Sequence, residues 1–277
     1  MADRKPIGSD VVGTELPATT FEYTDRDVML YALGVGASEL PFIYERNLKV
    51  LPTFAVIPAF PALTGMSAAV EVNLVMLLHG EQSFQIKKTI PVKATLTTSG
   101  TVTGCYDKGK GALITIETVT KDESGEVVFT NTSGVFIRGS GGFGGERGPE
   151  AGNVAPDRAP DKSVAMQTHP LQAAIYRLSG DRNPLHIDPD FAKMAGYDRP
   201  ILHGLCSFGH VGRAVLAEYC GNDPERFVAM SVRFSGVVYP GDTITTEMWD
   251  QGNGHIVVQA KTQEGRVVIS NAAVQVK

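Results

Sequence analysis

A stretch rich in glycine and proline divides the chain in two and limits what it can fold into. Residues 139–163 read Gly-Ser-Gly-Gly-Phe-Gly-Gly-Glu-Arg-Gly-Pro at their start and Pro-Asp-Arg-Ala-Pro-Asp near their end, without helical or strand periodicity. Such a composition favours a long connection over a regular element. The chain of 277 residues is long enough for two packed units. We therefore expect one unit at 1–138, a linker at 139–163 and a second unit at 164–277.

The start of this linker also matches Gly-x-Gly-x-x-Gly, the pattern of dinucleotide-binding loops. In those loops the last glycine opens a helix, whereas here Glu-Arg-Gly-Pro follows at the place where the helix must begin. The pattern is therefore interpreted as a coincidence, and no cofactor is expected.

The two units echo each other, which predicts the same fold in both. The stretch Lys93-Ala-Thr-Leu-Thr-Thr98 has a counterpart in Asp242-Thr-Ile-Thr-Thr-Glu247, and residues 125–131 have one in residues 265–271. These stretches alternate apolar and polar residues between short turns, as strands of an antiparallel meander do. Apolar residues spaced three and four apart predict a helix over 205–219. Each unit is predicted to be a long helix wrapped by a curved antiparallel sheet, an α+β arrangement.

Charge and hydrophobicity exclude several kinds of partner. The net charge is −5, and no basic stripe offers itself to phosphates, so nucleic acid is not expected to bind. No apolar stretch approaches the roughly 20 residues that span a bilayer, so membrane insertion is not expected. The first residues are polar, and the chain ends Val-Gln-Val-Lys277, unlike a peroxisomal Ser-Lys-Leu signal. The three cysteines lack metal-site spacing and are expected to be reduced thiols. Together with the polar start of the chain, they favour a cytoplasmic protein, although a peroxisomal location stays open.

The segment Tyr176-Arg-Leu-Ser-Gly-Asp-Arg-Asn-Pro-Leu-His186 concentrates groups that move protons. Asp181 and His186 could hold one water between them, and one group can accept a proton while the other donates one. Asn183 could position that water or fix the loop, because an amide both donates and accepts. Each residue alone would be explained by a turn, since Asp and Asn before Pro are common turn residues. Together they favour an acid–base site.

His203 and Gly204 precede the predicted helix and could face the same loop. A helix N-terminus presents unpaired N–H groups with partial positive charge, and glycine lets a ligand oxygen approach them closely. Gly204 is therefore a candidate oxyanion donor, although a simple helix start would also explain it. His203 is interpreted as a buried histidine with satisfied hydrogen bonds.

Other polar residues are interpreted as structural. Asp188 fits the N-cap of a short helix that Gly196 would close, and His79-Gly-Glu-Gln82 is a polar cluster at the start of a strand. Cys206 has small or apolar helical neighbours, which favours a buried thiol over a nucleophile. The six histidines show no metal-ligand spacing, so no metal site is expected.

The chain resembles the hydratase 2 group of MaoC-like proteins. The resemblance rests on residues 176–192, with Ser-Gly-Asp-x-Asn-Pro-Leu-His, and on Pro200-Ile-Leu-His-Gly-Leu-Cys-Ser-Phe-Gly209. The first unit contributes Tyr31-Ala-Leu-Gly-Val-Gly36, Leu51-Pro-Thr-Phe-Ala-Val56 and the His79–Gln82 cluster, so the likeness spans nearly the whole chain.

The resemblance implies a double hot dog fold in which the first unit is not catalytic, and often a homodimer. It implies reversible hydration of trans-2-enoyl-CoA to (3R)-3-hydroxyacyl-CoA, a hydro-lyase reaction. Asp181 and His186 would be the acid–base pair, Asn183 the positioning amide and the Gly204 N–H the donor to the thioester oxygen. The apolar run 50–60 could line a tunnel for the acyl chain or belong to the core. Arg233 is the one cation suggested for the phosphates of CoA.

Three other activities compete with the hydratase. The same chemistry in reverse would dehydrate 3-hydroxyacyl groups on CoA or on acyl carrier protein. A hot dog thioesterase would release free thiol, and a non-catalytic acyl-CoA-binding protein would have no need for both Asp181 and His186.

Overall fold

The computed structural model describes residues 4–73, 76–150 and 152–277. The strands are β1 Glu15–Tyr23, β2 Leu77–Ile86, β3 Ala94–Asp107, β4 Gly111–Lys121, β5 Val127–Arg138, β6 Lys162–Gln167, β7 Phe227–Phe234, β8 Thr243–Asp250, β9 His255–Thr262 and β10 Val267–Val276. The α-helices are α1 Asp25–Gly34, α2 Leu40–Ile43, α3 Val56–Thr64, α4 Met66–Ala69, α5 Gln172–Tyr176, α6 Pro189–Met194 and α7 Gly204–Cys220. Short 3-10 turns lie at Ser9–Val11, Pro52–Ala55, Arg177–Ser179, Pro184–His186 and Pro224–Arg226.

The strands form one sheet in which the same topology occurs twice. Their order is β1-β3-β4-β5-β2-β7-β10-β9-β8-β6, and neighbouring strands are antiparallel. Read outward from the centre, the first half has the order β2-β5-β4-β3-β1 and the second half has the order β7-β10-β9-β8-β6. Each strand of the second half therefore occupies the place of the strand numbered five lower in the first half. The sequence repeats lie at equivalent places, at the starts of β3 and β8 and along β5 and β10. The predicted internal repeat and the α+β arrangement are therefore confirmed.

Strands β2 and β7 join the two halves. They pair from Glu81 opposite Arg233 to Gln85 opposite Ala229. Because both strands lie at the inner edge of their halves, a side chain of the first half can reach elements of the second half across this seam.

The core helix of the two halves differs. In the second half α7 runs unbroken from Gly204 to Cys220, close to the predicted 205–219. In the first half the counterpart is divided into a 3-10 turn, α3 and α4, with a break at Gly65. Pro61 lies inside α3, where proline cannot donate a backbone hydrogen bond. The expectation of a long helix in each half was therefore wrong for the first.

The apolar helical stretch Pro52–Ala69 belongs to the core of the first half. It has 18 residues and a mean hydropathy of 1.2, which by length and composition would suffice for a membrane span. The sequence expectation that no such stretch exists was therefore wrong. However, 56% of the stretch is buried within the fold, and Phe54 and Val56 pack in the main hydrophobic core. This burial also favours the view that the run 50–60 belongs to the core over the view that it lines a tunnel for the acyl chain.

The helices α1 and α5 hold the loop that follows Tyr176 against the first half. The Gln172 side-chain amide donates to the carbonyl oxygens of Leu33, at 2.9 Å, and Gly34, at 2.6 Å. The rings of Tyr31 and Tyr176 lie 6.1 Å apart, centroid to centroid, and both residues are buried. The loop that follows Tyr176 therefore starts from a fixed position at the seam.

The glycine-rich start of the linker wraps around a carboxylate of its own chain. The side chain of Asp107 accepts hydrogen bonds from the N–H groups of Gly142, at 2.9 Å, and Gly144, at 2.8 Å. These backbone donors hold the pKa of the Asp107 carboxyl below its usual value. In the part of 139–161 that the structure describes, no helix begins, whereas a dinucleotide-binding loop would lead into one. Strand β6 starts at Lys162, inside the predicted linker.

Candidate active site

The loop between α5 and α6 is shaped by its own side chains. Gly180 has a φ of 137°, in a region that residues with a side chain rarely adopt. The Asp181 carboxylate then accepts the Asn183 N–H at 3.1 Å, and the Asn183 side-chain oxygen accepts the Leu185 N–H at 3.0 Å. Asn183 is exposed and caps the turn Pro184–His186. Of the two roles considered for Asn183, the structure shows the one that fixes the loop.

Helix α6, which follows this loop, starts and ends as predicted. The Asp188 side chain accepts the N–H groups of Asp190, at 2.9 Å, and Phe191, at 3.3 Å. Gly196, one residue beyond the C-cap, has a φ of 88°. The predicted structural role of Asp188 is confirmed.

His186 is held as a neutral base. Its ring is 8% exposed, and Nδ1–H donates to the carbonyl oxygen of Ile201 at 2.9 Å, which leaves the lone pair on Nε2. Burial lowers the pKa of His186, and the charge of Asp181 opposes that shift. The imidazole is therefore ready to accept a proton near neutral pH.

His203 contacts both Asp181 and His186. It is 1% exposed, its Nε2–H donates to the backbone oxygen of Asp181 at 3.1 Å, and its ring stacks on His186 with centroids 3.7 Å apart. Burial holds the pKa of His203 well below its usual value, and the neighbouring His186 and Arg177 side chains lower it further. In the described residues Nδ1 has no hydrogen-bond partner, so the expectation of a fully satisfied histidine was wrong.

Gly204 begins α7 immediately after His203. The N–H groups of Cys206 and Ser207 both donate to the His203 carbonyl oxygen, whereas those of Gly204 and Leu205 have no acceptor within the helix because of their position. A side chain at position 204 would put its Cβ 3.3 Å from the ring of Phe234. Glycine therefore lets the Phe234 ring pack closely against the first turn of α7.

Asp181, His186 and His203 converge closely. One carboxylate oxygen and one ring nitrogen from each histidine all lie within 4.8 Å of one another. Lone pairs of imidazoles lie in the ring planes, and the two planes differ by only 27°, so these nitrogens do not aim at a common point. The geometry suits a water between carboxylate and imidazole better than a metal ion.

Cys206 is unsuited to act as a nucleophile. Its side chain is fully buried and its thiol donates to the Gly34 carbonyl oxygen at 3.3 Å. Burial raises the pKa of the Cys206 thiol well above its usual value, despite the opposing charge of Arg213. A thiolate is the reactive form, so this cysteine serves packing.

Arg233 forms an ion pair with Glu81, and the suggestion that it contacts CoA stays a prediction. Side chains alternate along β7, and Val232 and Phe234 face the core and α7. Arg233 therefore points to the other face of the sheet, where its Nε donates to Glu81 Oε1 at 3.0 Å. Its charge is already paired.

Sequence reasoning missed two aromatic contacts of the site. One is the stack of His203 on His186, for which the only signal was the position of a histidine before Gly204. The other is His79 of the first half, which meets Phe234 edge to face at 5.4 Å. Nothing in the sequence relates His79 to residues of the second half, because the sheet alone brings them together.

Two family models match the chain, one in each half. Residues 21–139 match the MFE-2 hydratase 2 N-terminal domain, and residues 151–273 match the MaoC like domain. The chain is 43% identical over 276 residues to a probable enoyl-CoA hydratase 2 of Dictyostelium discoideum, covering 94% of this chain and 93% of that protein. It is 45% identical to the peroxisomal multifunctional enzyme type 2 of Mus musculus, covering 95% of this chain but 38% of that longer protein.

A solved structure shares the whole fold. The MaoC-like dehydratase from Phytophthora capsici superposes with a TM-score of 0.91 at 38% identity, covering 98% of each chain. The repeated strand order, with a helical core in each half, is the double hot dog arrangement implied by the sequence. With both halves matched and relatives above 40% identity, the chain belongs to the hydratase 2 group of the MaoC-like family.

Proposed function

We propose that this chain catalyses the reversible hydration of trans-2-enoyl-CoA to (3R)-3-hydroxyacyl-CoA. The observation that carries the proposal is the approach of the Asp181 carboxylate and the His186 imidazole to within 4.8 Å, on one loop. The names of the D. discoideum and mouse relatives, a probable enoyl-CoA hydratase 2 and a peroxisomal multifunctional enzyme type 2, support a hydro-lyase acting on acyl-CoA.

The acid–base pair activates one water. A carboxylate and a neutral imidazole at this separation can each accept one hydrogen of the same water. Because Nδ1 of His186 is committed to Ile201, Nε2 is the atom that takes the proton as the water oxygen bonds to carbon 3. The imidazolium that forms lies beside Asp181, whose charge stabilises it.

The first turn of α7 stabilises the intermediate. As the water adds, the electrons of the carbon–carbon double bond move to carbon 2 and onto the thioester oxygen. The Gly204 N–H, at the positive end of the helix, donates to that oxygen, an interaction that typically contributes about 100- to 1,000-fold in rate. Return of the proton to carbon 2 from the same pair completes the addition and restores the enzyme.

A coupled assay tests this proposal. Purified protein is mixed with trans-2-decenoyl-CoA, and the enoyl absorbance, the free thiol and the configuration at carbon 3 are followed together. We expect absorbance loss without thiol release and a (3R)-alcohol as product. Thiol release would identify a thioesterase, and no reaction on CoA or acyl carrier protein thioesters would leave acyl-CoA binding as the function.

The compartment and the assembly are part of the proposal. The mouse relative is named peroxisomal, so we extend that location to this chain as the alternative to the cytoplasm expected from its sequence. A fluorescent fusion distinguishes the two. A homodimer is expected from the family resemblance, and light scattering of the purified protein, at 29.6 kDa per chain, tests it.

A further inference from the structure

The C-terminal end of helix α1, in the first half, is closed by side chains of the second half. A helix end leaves carbonyl oxygens without partners inside the helix and carries partial negative charge. Here the carbonyl oxygens of residues 33–35 accept hydrogen bonds from three donors, the Gln172 amide, the Cys206 thiol and the Arg213 guanidinium. The two halves are therefore joined at this helix end by polar contacts as well as by the sheet.

Gln172 is the donor that leads directly to the loop with the acid–base pair. It is 2% exposed, and its amide nitrogen donates to the carbonyl oxygens of both Leu33 and Gly34, at 2.9 and 2.6 Å. Its side-chain oxygen accepts the His169 N–H at 3.2 Å, so both ends of the amide are held. Gln172 is also the first residue of α5, which continues at Tyr176 into the 3-10 turn before the loop.

The contact between α1 and α5 reaches the reactive residues by way of Tyr176. A Cβ at Gly34 would lie 3.2 Å from the Tyr176 Cα, so the two helix backbones touch. The Tyr176 ring lies 4.9 Å from the ring of His203, centroid to centroid. His203 in turn donates to the Asp181 backbone oxygen and stacks on His186. A displacement of α5 would therefore move both members of the acid–base pair.

We propose that Gln172 is a positioning residue for the hydration reaction. Its side chain clamps α5 to the C-terminal end of α1, and through this clamp the first hot dog unit holds the loop of Asp181 and His186 in place. Both amide hydrogens of Gln172 are committed to backbone oxygens of the first half, so it acts on the reaction through the position of α5. Its effect on turnover rests on the proposed function, whereas the clamp itself does not.

The clamp should affect the chemical step more than substrate binding. Proton transfer between water, Asp181 and His186 depends on atoms held within hydrogen-bond reach, and a misplacement of about 1 Å can cost about 100-fold in rate. Losing the clamp should therefore lower kcat and leave KM nearly unchanged. The first half would in this way set the rate of a reaction whose acid and base both belong to the second half.

Amide hydrogen exchange, followed by mass spectrometry of peptides, tests the clamp without any assay of activity. Gln172→Met keeps a side chain of similar length and removes both donors. We expect exchange at 173–187 to be about tenfold faster than in the wild type, with the rest of the chain unchanged. Gln275→Met is the matched control, because Gln275 also donates to two backbone oxygens, at 2.9 and 3.1 Å, but on β10. It should leave 173–187 unchanged.

Either of two exchange results for Gln172→Met would overturn the clamp. One is an unchanged rate at 173–187, and the other is an equal increase over the whole chain, which would show only a loss of overall stability. Both results can be read whether or not the protein hydrates enoyl-CoA.

A second variant presses on the same contact from the first half and keeps every hydrogen bond. Gly34→Ala favours the helix, since alanine has the higher helix propensity, but its Cβ forces α1 and α5 apart by a few tenths of an ångström. With decenoyl-CoA we expect kcat to fall about fivefold in Gly34→Ala and about tenfold in Gln172→Met, with KM near the wild-type value.

The control Gln275→Met should keep the wild-type kcat. Wild-type kcat in both Gln172→Met and Gly34→Ala, in a chain that is an active hydratase, would reduce Gln172 to a structural residue. If the wild type itself were inactive, the proposed function would fail and the exchange experiment alone would decide whether the clamp exists.

Discussion

The two halves share one topology, but only one of them has room for the reactive carboxylate. Aligning the buried Tyr31 with Tyr176 puts Gly36 at the place of Asp181. Gly36 has a φ of 74°, and a Cβ there would lie 2.9 Å from Nε2 of His210. An aspartate at position 36 would therefore not fit, because its side chain would collide with His210. The His210 side chain of α7 occupies the space that a side chain at position 36 would need.

The histidines beside these two positions are in different electrostatic settings. His186 has Asp181 to oppose the effect of burial on its pKa. His210, beside Gly36, has no such carboxylate, and burial lowers its pKa to about 4, helped by the charge of Arg213. A histidine next to a carboxylate can work as a base and briefly carry charge, whereas His210 stays neutral and serves structure.

The largest effect is expected from removing the acid–base pair. Asp181→Asn and His186→Gln should each lower turnover by roughly 100-fold or more, because each removes a proton-transfer group. The amide at position 181 can still accept from the Asn183 N–H, so the fold of the loop should persist. Asp188→Asn is the control on the same loop, since Asn caps a helix about as well as Asp. Near-normal turnover in Asp181→Asn or in His186→Gln would remove that residue from the mechanism.

The next effect concerns acid stability. With a folded pKa of about 4 for His210 and an unfolded value near 6.5, the unfolded chain binds the proton first as the pH falls. This contribution to stability is complete above about pH 6.5 and should decrease by about 2 kcal/mol between pH 7 and pH 5. Urea unfolding at both pH values measures it. His210→Asn should show a smaller decrease than the wild type, and equal decreases would contradict the assignment.

The sequence was sufficient for features in which neighbouring residues determine the geometry. Asp181 and His186 lie on one short loop, so their spacing alone brings them together. Asp188 could be recognised as an N-cap from its place before a proline and an apolar turn. The internal repeat was visible because the same alternation of residues starts β3 and β8. In each case the interaction spans few residues, or the pattern occurs twice.

Features that depend on packing between distant segments could not be predicted. His203 stacks on His186 only because α7 begins where the catalytic loop turns back to it. Arg233 was suggested by its charge, but the alternation of β7 and the pairing of β2 with β7 give it Glu81 as a partner. The break at Gly65 likewise reflects how α3 and α4 fit the sheet of the first half.

A smaller effect should come from refilling the vacated position of the first half. Gly36→Ala puts a side chain at a positive φ and close to His210, which should destabilise the fold by about 1–2 kcal/mol. Turnover of the remaining folded enzyme should be retained, because Asp181 and His186 are untouched. Thermal unfolding and the assay with decenoyl-CoA measure the two quantities. Gly125→Ala, also at a positive φ but with open space around it, separates strain from the clash.

The smallest effect distinguishes two ways in which His203 supports the second half. His203→Phe keeps a ring over His186 but loses the hydrogen bond to the Asp181 backbone oxygen, whereas His203→Asn can keep a donor but loses the stack. Each interaction is of the order of 1 kcal/mol, so each variant should lower kcat about tenfold or less with KM nearly unchanged. A greater loss in His203→Asn would show that ring stacking orients His186. A greater loss in His203→Phe would show that the backbone of Asp181 needs its donor. If both variants matched the wild type in kcat and in pH profile, His203 would only fill space, and the difference between the halves would reduce to Asp181 and His186 alone.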